Sequence, residues 1–390
     1  MNASKDILYK ELNLKAFIGS EGLKFDPRIF LHNVGSRNTE IVHCLFDYSV
    51  DENAGVVYPL FLRLPHGLVT IFKPNANSPL SLEWTDGRYY VIENGNVLTE
   101  VFLLDRPQYY GLKTSDGAPM KNIAADGTDG VVFITYSNEC ALIEKGKDCL
   151  FCNINYTKRT YGDAEGIGWK YPKQIGETVA AAYRLDGKDH LTLSGGFIPE
   201  RREVDYYVDV AEAIQEHTGL DDFNGTACVG APHDFNALHK LRDAGFRTLA
   251  TNLELWDRNF FKAYCPGKDA LCGGYDHWVK SLEYSVKVFG FGHVRSNFVG
   301  GLEPMTSVLE GIEYLAGKGV VAYANAWIPN NGSALEGHRS PGWQWHLELA
   351  QRNYRILDRA GITWEQVYSA SAYPLYPICD IYRIEKGLYN

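Results

Sequence analysis

Between residues 128 and 360 the chain repeats one order six times, a short apolar run and then a longer amphipathic one. The runs 131–136, 190–194, 226–229, 247–253, 294–299 and 320–326 are rich in β-branched and aromatic residues and read as strands. Helical spacing of apolar residues follows each of them, at 177–185, 204–217, 235–244, 278–288, 304–316 and 343–360. A strand that is followed each time by a helix pairs in parallel with the next strand, because the crossover places the helix on the sheet. Six such units fall short of the eight that close a full barrel. The expected fold is therefore α/β, a partial (β/α)6 TIM-like barrel open on one side. Glycines and polar residues recur just after the strands, which is the active-site face of such a barrel.

The region before the barrel has a different texture. Runs at 41–48, 56–63, 68–73, 88–93 and 97–104 are separated by turn-forming clusters such as Asn94-Gly95-Asn96. Residues 1–127 are expected to form an N-terminal β-rich subdomain, residues 128–360 the barrel, and residues 361–390 a C-terminal extension. The net charge of −10 argues against a general nucleic-acid surface. No apolar stretch reaches membrane-spanning length, and the first residues lack a signal-peptide core. A cytoplasmic protein is expected, with its eight cysteines kept as thiols.

The first barrel unit carries the run Asn138-Glu139-Cys140 to Asp148-Cys149-Leu150-Phe151-Cys152 between its strand and its helix. Cys149 and Cys152 can turn two thiolates toward one metal, and Cys140 can add a third. A pair of cysteines at this spacing serves zinc, redox chemistry or nothing at all. A structural zinc site wants a fourth ligand. Three thiolates suit a four-iron cluster that keeps one iron open. Lys145, Lys147 and Lys158 flank the loop and read as solvated charges. Cys228, Cys265, Cys272 and Cys379 leave a second cluster as an open question.

With these cysteines and the strand ends in view, the chain resembles the radical SAM enzymes over roughly residues 128–360. It is similar to the group of biotin synthase, lipoyl synthase and the hydrogenase maturases. Phe151 stands where that family has an aromatic before its last cysteine. The first cysteine spacing, eight residues, departs from the family's commonest three. Ser194-Gly195-Gly196 matches the segment whose backbone meets the amino group of S-adenosylmethionine (SAM). Asn252 and Glu254 match the ribose clamp. Val299 and Gly300, within Phe298–Glu303, match the segment packed on adenine. Ile328, opening a Pro-containing run to Gly337, matches the sixth-strand segment.

The resemblance implies a [4Fe-4S] cluster on Cys140, Cys149 and Cys152, and SAM bound at its open iron. It implies reductive cleavage of SAM and hydrogen abstraction from a substrate by a 5′-deoxyadenosyl radical. The expected substrate is a small molecule or cofactor precursor in a biosynthetic step. An electron donor such as flavodoxin or ferredoxin is the implied partner. Arg295, on the fifth strand, is the candidate for the SAM carboxylate. Trp256, Trp327, Tyr323 and Phe298 are candidate walls, and His233 a candidate substrate contact. Two rival readings stand beside this one. In the first, the same chemistry acts on a protein or peptide. In the second, the chain is a zinc-stapled barrel that binds a ligand.

Overall fold

A computed structural model describes residues 3–33, 50–51, 56–57, 61–157, 169–198, 200–330, 332–370 and 376–389. The chain opens on a helix, Lys5–Glu21, rather than on strands. Ser4 caps it by accepting a hydrogen bond from the Ile7 N–H. Leu8, Leu12, Ala16 and Ile18 bury one side of it. Strands β1 (Val50–Asp51) and β2 (Val56–Val57) form a short antiparallel pair.

An antiparallel sheet follows, in the order β4-β3-β7-β6-β5. Its strands are β3 (Phe61–Arg63), β4 (Val69–Ile71), β5 (Leu80–Thr85), β6 (Arg88–Glu93) and β7 (Asn96–Leu103). Asn94 and Gly95 both take positive φ and make the tight β6–β7 turn that the sequence signals. Strand β5 had no counterpart among the expected runs. Only its Leu80 and Leu82 are buried, so its alternation is weak. The expected strand at 41–48 lies outside the described residues.

The second sheet has seven strands in the order β14-β13-β12-β11-β10-β9-β8. They are β8 (Ala125–Asp126), β9 (Val131–Thr135), β10 (His190–Ser194), β11 (Gly225–Cys228), β12 (Phe246–Ala250), β13 (Val294–Gly300) and β14 (Val320–Ala326). From β9 to β14 every neighbouring pair is parallel, and β8 adds antiparallel to β9. The sheet curls into a half barrel, so the partial barrel is present with its six parallel strands in sequence order. Leu191, Leu193, Ala227, Leu249, Phe298 and Ala322 belong to the main apolar core, all but fully buried. Thr192, Thr226 and Thr248 stand in register on the alternate face.

Two helices that the sequence reading left as an unassigned extension complete the molecule. Helix Trp364–Ala370 closes the N-terminal end of the barrel. The Thr226 hydroxyl donates to the Ser369 carbonyl at 2.8 Å, and Arg295 Nη1 donates to the Ala370 carbonyl at 2.9 Å. Tyr368 rests its ring against His190, 6.1 Å between centroids. Helix Pro377–Glu385 turns back on the N-terminal region. Ile381, Ile384 and Tyr389 share an apolar cluster with Leu12, Leu62, Leu82 and Val101. Lys15 and Asp380 form a buried ion pair at 2.6 Å within it.

His190 is fully buried, and burial lowers its pKa from 6.5 to about 4. The unfolded chain therefore takes up the proton first. This contribution to stability is complete above about pH 6.5 and is lost as the pH falls toward 4, roughly 3 kcal/mol in all. Burial lowers His346 to about 4 as well, in the same direction. Urea unfolding at about pH 7, 5.5 and 4 should show a falling midpoint. A midpoint that stays constant over that range would contradict the account.

Candidate functional site at the barrel mouth

The cysteine loop leaves the C-terminal end of β9 and folds over the end of β10. The Gly196 N–H donates to the Ser137 carbonyl at 2.9 Å, and the Ala141 N–H donates to the Phe197 carbonyl at 2.8 Å. A Cβ on Gly196 would lie 1.9 Å from the Glu139 carbonyl oxygen and 3.1 Å from the Cys140 Cβ. Only a glycine lets the two segments approach this closely. The other side of the loop rests on helices Arg258–Tyr264 and Pro266–Leu271. There the Leu150 N–H donates to the Tyr264 carbonyl at 2.9 Å. Phe151 packs half-buried on the main core. Farther along, Tyr156 lies against Gly332, where a Cβ would come within 2.2 Å of the ring. This contact brings the segment after Ile328 to the cysteine loop.

The three thiols share one electrostatic neighbourhood. Burial, followed by the charge of Cys149, pushes Cys152 up to about 12. Burial also raises Cys140, against backbone N–H groups that lower it. Cys149 moves the other way. The Cys265 thiol donates a hydrogen bond to it, and this outweighs burial with help from Lys268. Cys149 and Cys152 are tied in a turn by the Cys152 N–H, which donates to the Cys149 carbonyl at 3.0 Å. Among the described residues no three His, Cys, Asp or Glu groups close around a single-ion point. Cys140, Cys149 and Cys152 feel one another's charge, and three thiolates are the donor set that suits a four-iron cluster with one iron open. Lys145 and Lys147 are exposed, as expected of solvated charges.

The ends of β12, β13 and β14 meet beside the loop. The Glu254 N–H donates to the Asn297 carbonyl at 3.0 Å, and the Val299 N–H donates to the Glu254 carbonyl at 2.8 Å. The Trp327 N–H donates to the Gly300 carbonyl at 2.9 Å. Asn252, Glu254, Val299, Gly300 and Ile328 thus stand together on adjoining strand ends. Glu254 takes φ of 72°, an unusual conformation for a residue with a side chain. Its Oε1 accepts from Lys268 Nζ at 2.9 Å. Lys268 also donates to the Asn252 carbonyl at 2.8 Å and lies 4.4 Å over the Trp278 ring. Burial pulls the Lys268 pKa down, but Glu254, Cys149 and Cys265 more than reverse this and hold the ammonium charged. Asn252 is engaged too. Its Oδ1 accepts from the Asn297 N–H at 3.2 Å, and its Nδ2 lies 3.8 Å from Cys228 Sγ.

Arg295 adjoins this group: its guanidinium bonds Cys228, which Asn252 Nδ2 also approaches at 3.8 Å, and its Nη1 donates to the Ala370 carbonyl. Other expected site residues stand apart from it. His233 is exposed and faces the ring of His277, 5.7 Å between centroids, rather than the interior. Trp256 packs on Tyr275 and Tyr314, on the side of Gly311 in helix Met305–Gly317. Tyr323 and Trp327 are buried on β14 and just beyond it. Lys268 had no place in the sequence reading. Its only signal there is its position between Cys265 and Cys272, in a run whose spacing says nothing of Glu254.

No family model matches the chain. The bacteriochlorophyllide c C-7(1)-hydroxylase of Chlorobaculum limnaeum is 28% identical over 257 residues, which make up 62% of this chain and 63% of that enzyme. The chain therefore spans less than two thirds of that relative's length. Among solved structures, methylornithine synthase matches with a TM-score of 0.46 at 17% identity, over 65% of this chain and 72% of that one. Coproporphyrinogen III oxidase from Escherichia coli, described as a radical SAM enzyme, matches with a TM-score of 0.38 at 16% identity, over 59% and 52%. The chain resembles radical SAM enzymes, as its cysteine loop and strand-end segments imply.

Replacing Lys268 with Met would leave Glu254 buried without its counter-charge. Breaking a buried pair in this way costs about 3 kcal/mol. Anaerobic denaturant unfolding of the Lys268→Met variant should register that loss, and Lys268→Arg should recover part of it. Unchanged stability in Lys268→Met would remove the ion pair from the architecture of the mouth.

Proposed function

We propose that the chain is a radical SAM enzyme acting on a small molecule in a biosynthetic step. One observation carries this reading. A three-cysteine loop, a glycine turn after β10 and an Asn-x-Glu after β12 stand at one mouth of a half barrel, the turn bonded to the loop and the Asn-x-Glu linked to Cys149 through Lys268. Cys140, Cys149 and Cys152 would hold the cluster, which supplies one electron to cleave SAM at its C5′–S bond. The chain's own residues do the rest. Ser194, Gly195 and Gly196 offer backbone groups to the SAM amino group. The Oε2 of Glu254 remains for a ribose hydroxyl while Oε1 keeps Lys268. Val299, Gly300 and Ile328 form the edge against which adenine would lie. The buried side chains of Tyr323 and Trp327 keep water from the interior, where an adenosyl radical needs its target carbon in contact.

The Chlorobaculum relative is a hydroxylase of bacteriochlorophyllide c, a small molecule, which supports the same substrate class here. A flavodoxin or ferredoxin is the proposed electron donor, and the cytoplasm the proposed location. No described helix is long and apolar enough to cross a membrane. Residues 128–360 are the proposed catalytic unit, with 1–127 and 361–390 packed against it.

Anaerobic reconstitution with iron and sulfide should give a brown protein. Adding SAM and a reductant should then release 5′-deoxyadenosine, detected by mass spectrometry. Cys140→Ala, Cys149→Ala and Cys152→Ala should each lose the cluster spectrum and most of the iron. Wild-type iron content in all three variants would refute the assignment. Glu254→Gln should keep the cluster and weaken SAM binding about tenfold or more, since a charge-assisted hydrogen bond contributes about 1.5–3 kcal/mol. Calorimetry that finds equal SAM affinity in this variant would move the ribose clamp elsewhere.

A further inference from the structure

Helices Arg258–Tyr264 and Pro266–Leu271 meet at Cys265, a cysteine outside the loop. Three contacts press this junction onto the cysteine loop. The Tyr264 carbonyl accepts from the Leu150 N–H at 2.9 Å. Gly267 lies so close that a Cβ there would collide with the Lys147 carbonyl and the Leu142 side chain. Cys265 stands between these two residues in the chain, and its thiol bonds Cys149. The backbone that carries the thiol is fixed on both sides. The Cys265 N–H donates to the Phe261 carbonyl at 2.8 Å, and the Cys265 carbonyl accepts from the Asp269 N–H at 3.0 Å.

Cys265 is 0% exposed. A buried thiol beside an anionic sulfur keeps its proton, because ionising it would set two like charges together away from water. The bond therefore has one direction, with Cys265 donating and the Cys149 sulfur accepting. A thiol is a weak donor, but a buried hydrogen bond to a charged acceptor is stronger than the same bond in water. Cys228, by contrast, bonds Arg295.

We propose that Cys265 is a positioning residue that raises the reduction potential of the cluster through its hydrogen bond to the Cys149 sulfur. The inference rests on the cluster reading above and adds to it a residue that ligates no iron. Reduction brings in one electron from the donor, and no proton moves, since Cys265 keeps its own. The added charge spreads over the cluster and its thiolate sulfurs. A donor bonded to one of those sulfurs stabilises the reduced form more than the oxidised one, which raises the potential. The Lys268 ammonium acts in the same sense by its charge, but it also holds Glu254 at 2.9 Å. Cys265 can be changed while that ion pair stays whole, so the contribution of the sulfur bond can be read by itself.

The test is an anaerobic redox titration of the reconstituted full chain, without SAM, with the reduced cluster read by electron paramagnetic resonance. Cys265→Ala should keep wild-type iron and sulfide content and show a more negative midpoint potential. At one fixed solution potential, its ratio of reduced to oxidised cluster should fall about threefold to tenfold, as expected when one hydrogen bond to a cluster sulfur is lost. Cys265→Ser, which keeps a donor, should lie nearer the wild type than Cys265→Ala. A merely structural role would change stability without ordering the potentials by donor. If Cys265→Ala fails to fold, Cys265→Val, which fills the space without a donor, takes its place in the same titration. Equal potentials in the wild type and the donor-free variant, with normal clusters in both, would overturn this proposal alone. Loss of iron in the donor-free variant would also overturn it, because Cys265 would then be a ligand. A wild-type protein that takes up no cluster would overturn the radical SAM reading, and this inference with it.

Discussion

The mouth of the barrel depends on one buried ammonium. Lys268 ties Glu254 and the Asn252 carbonyl on the β12 end to the helix that faces the cysteine loop, and Trp278 covers it. A carboxylate at 12% side-chain exposure is costly to bury unless it is paired, and Lys268 supplies the pair. The pair uses Oε1 and leaves Oε2 over for a ligand. The same ammonium lies in the field of Cys149 and Cys265 and favours the ionised form of the Cys149 thiol. One side chain thus serves both halves of the site, and the unusual backbone of Glu254 is held by contacts on either side of it.

The barrel was legible in the sequence because its signals are local. A parallel strand buried on both faces is a continuous apolar run, and its helix repeats every few residues. All six expected strands are present, with ends within about three residues of the expected ones. The cysteine loop was legible by spacing. What sequence did not carry was proximity. Nothing in the run around Lys268 announces Glu254, and nothing near Arg295 announces Ala370, which lies 75 residues away. The opening helix Lys5–Glu21 was missed for another reason. Glu11 and Lys15 interrupt its buried face and are themselves buried, because His66 and Asp380 supply their partners.

The flanking regions are joined more closely than a linear division into three parts implies. Helix Lys5–Glu21 and helix Pro377–Glu385 share an apolar cluster with Leu347 and Ala350 of helix Trp343–Arg359. The Tyr389 hydroxyl reaches the Lys15–Asp380 pair, 2.5 Å from Asp380 Oδ1. Burial of a carboxylate and an ammonium this deeply gives register rather than net stability. It fixes where the first helix sits against the last.

The floor of the barrel has a consequence for how the molecule is made. The carbonyls of Ser369 and Ala370 receive Thr226 and Arg295, which the ribosome releases more than a hundred and about seventy residues earlier. During synthesis, at roughly 5–20 residues per second, those two side chains wait several seconds for their partners. All six parallel strands and the cysteine loop are then already exposed to the cell, while the barrel stays open at its lower end. The lower end of the barrel is closed only when the last turn of this helix docks, which makes it one of the latest contacts to form.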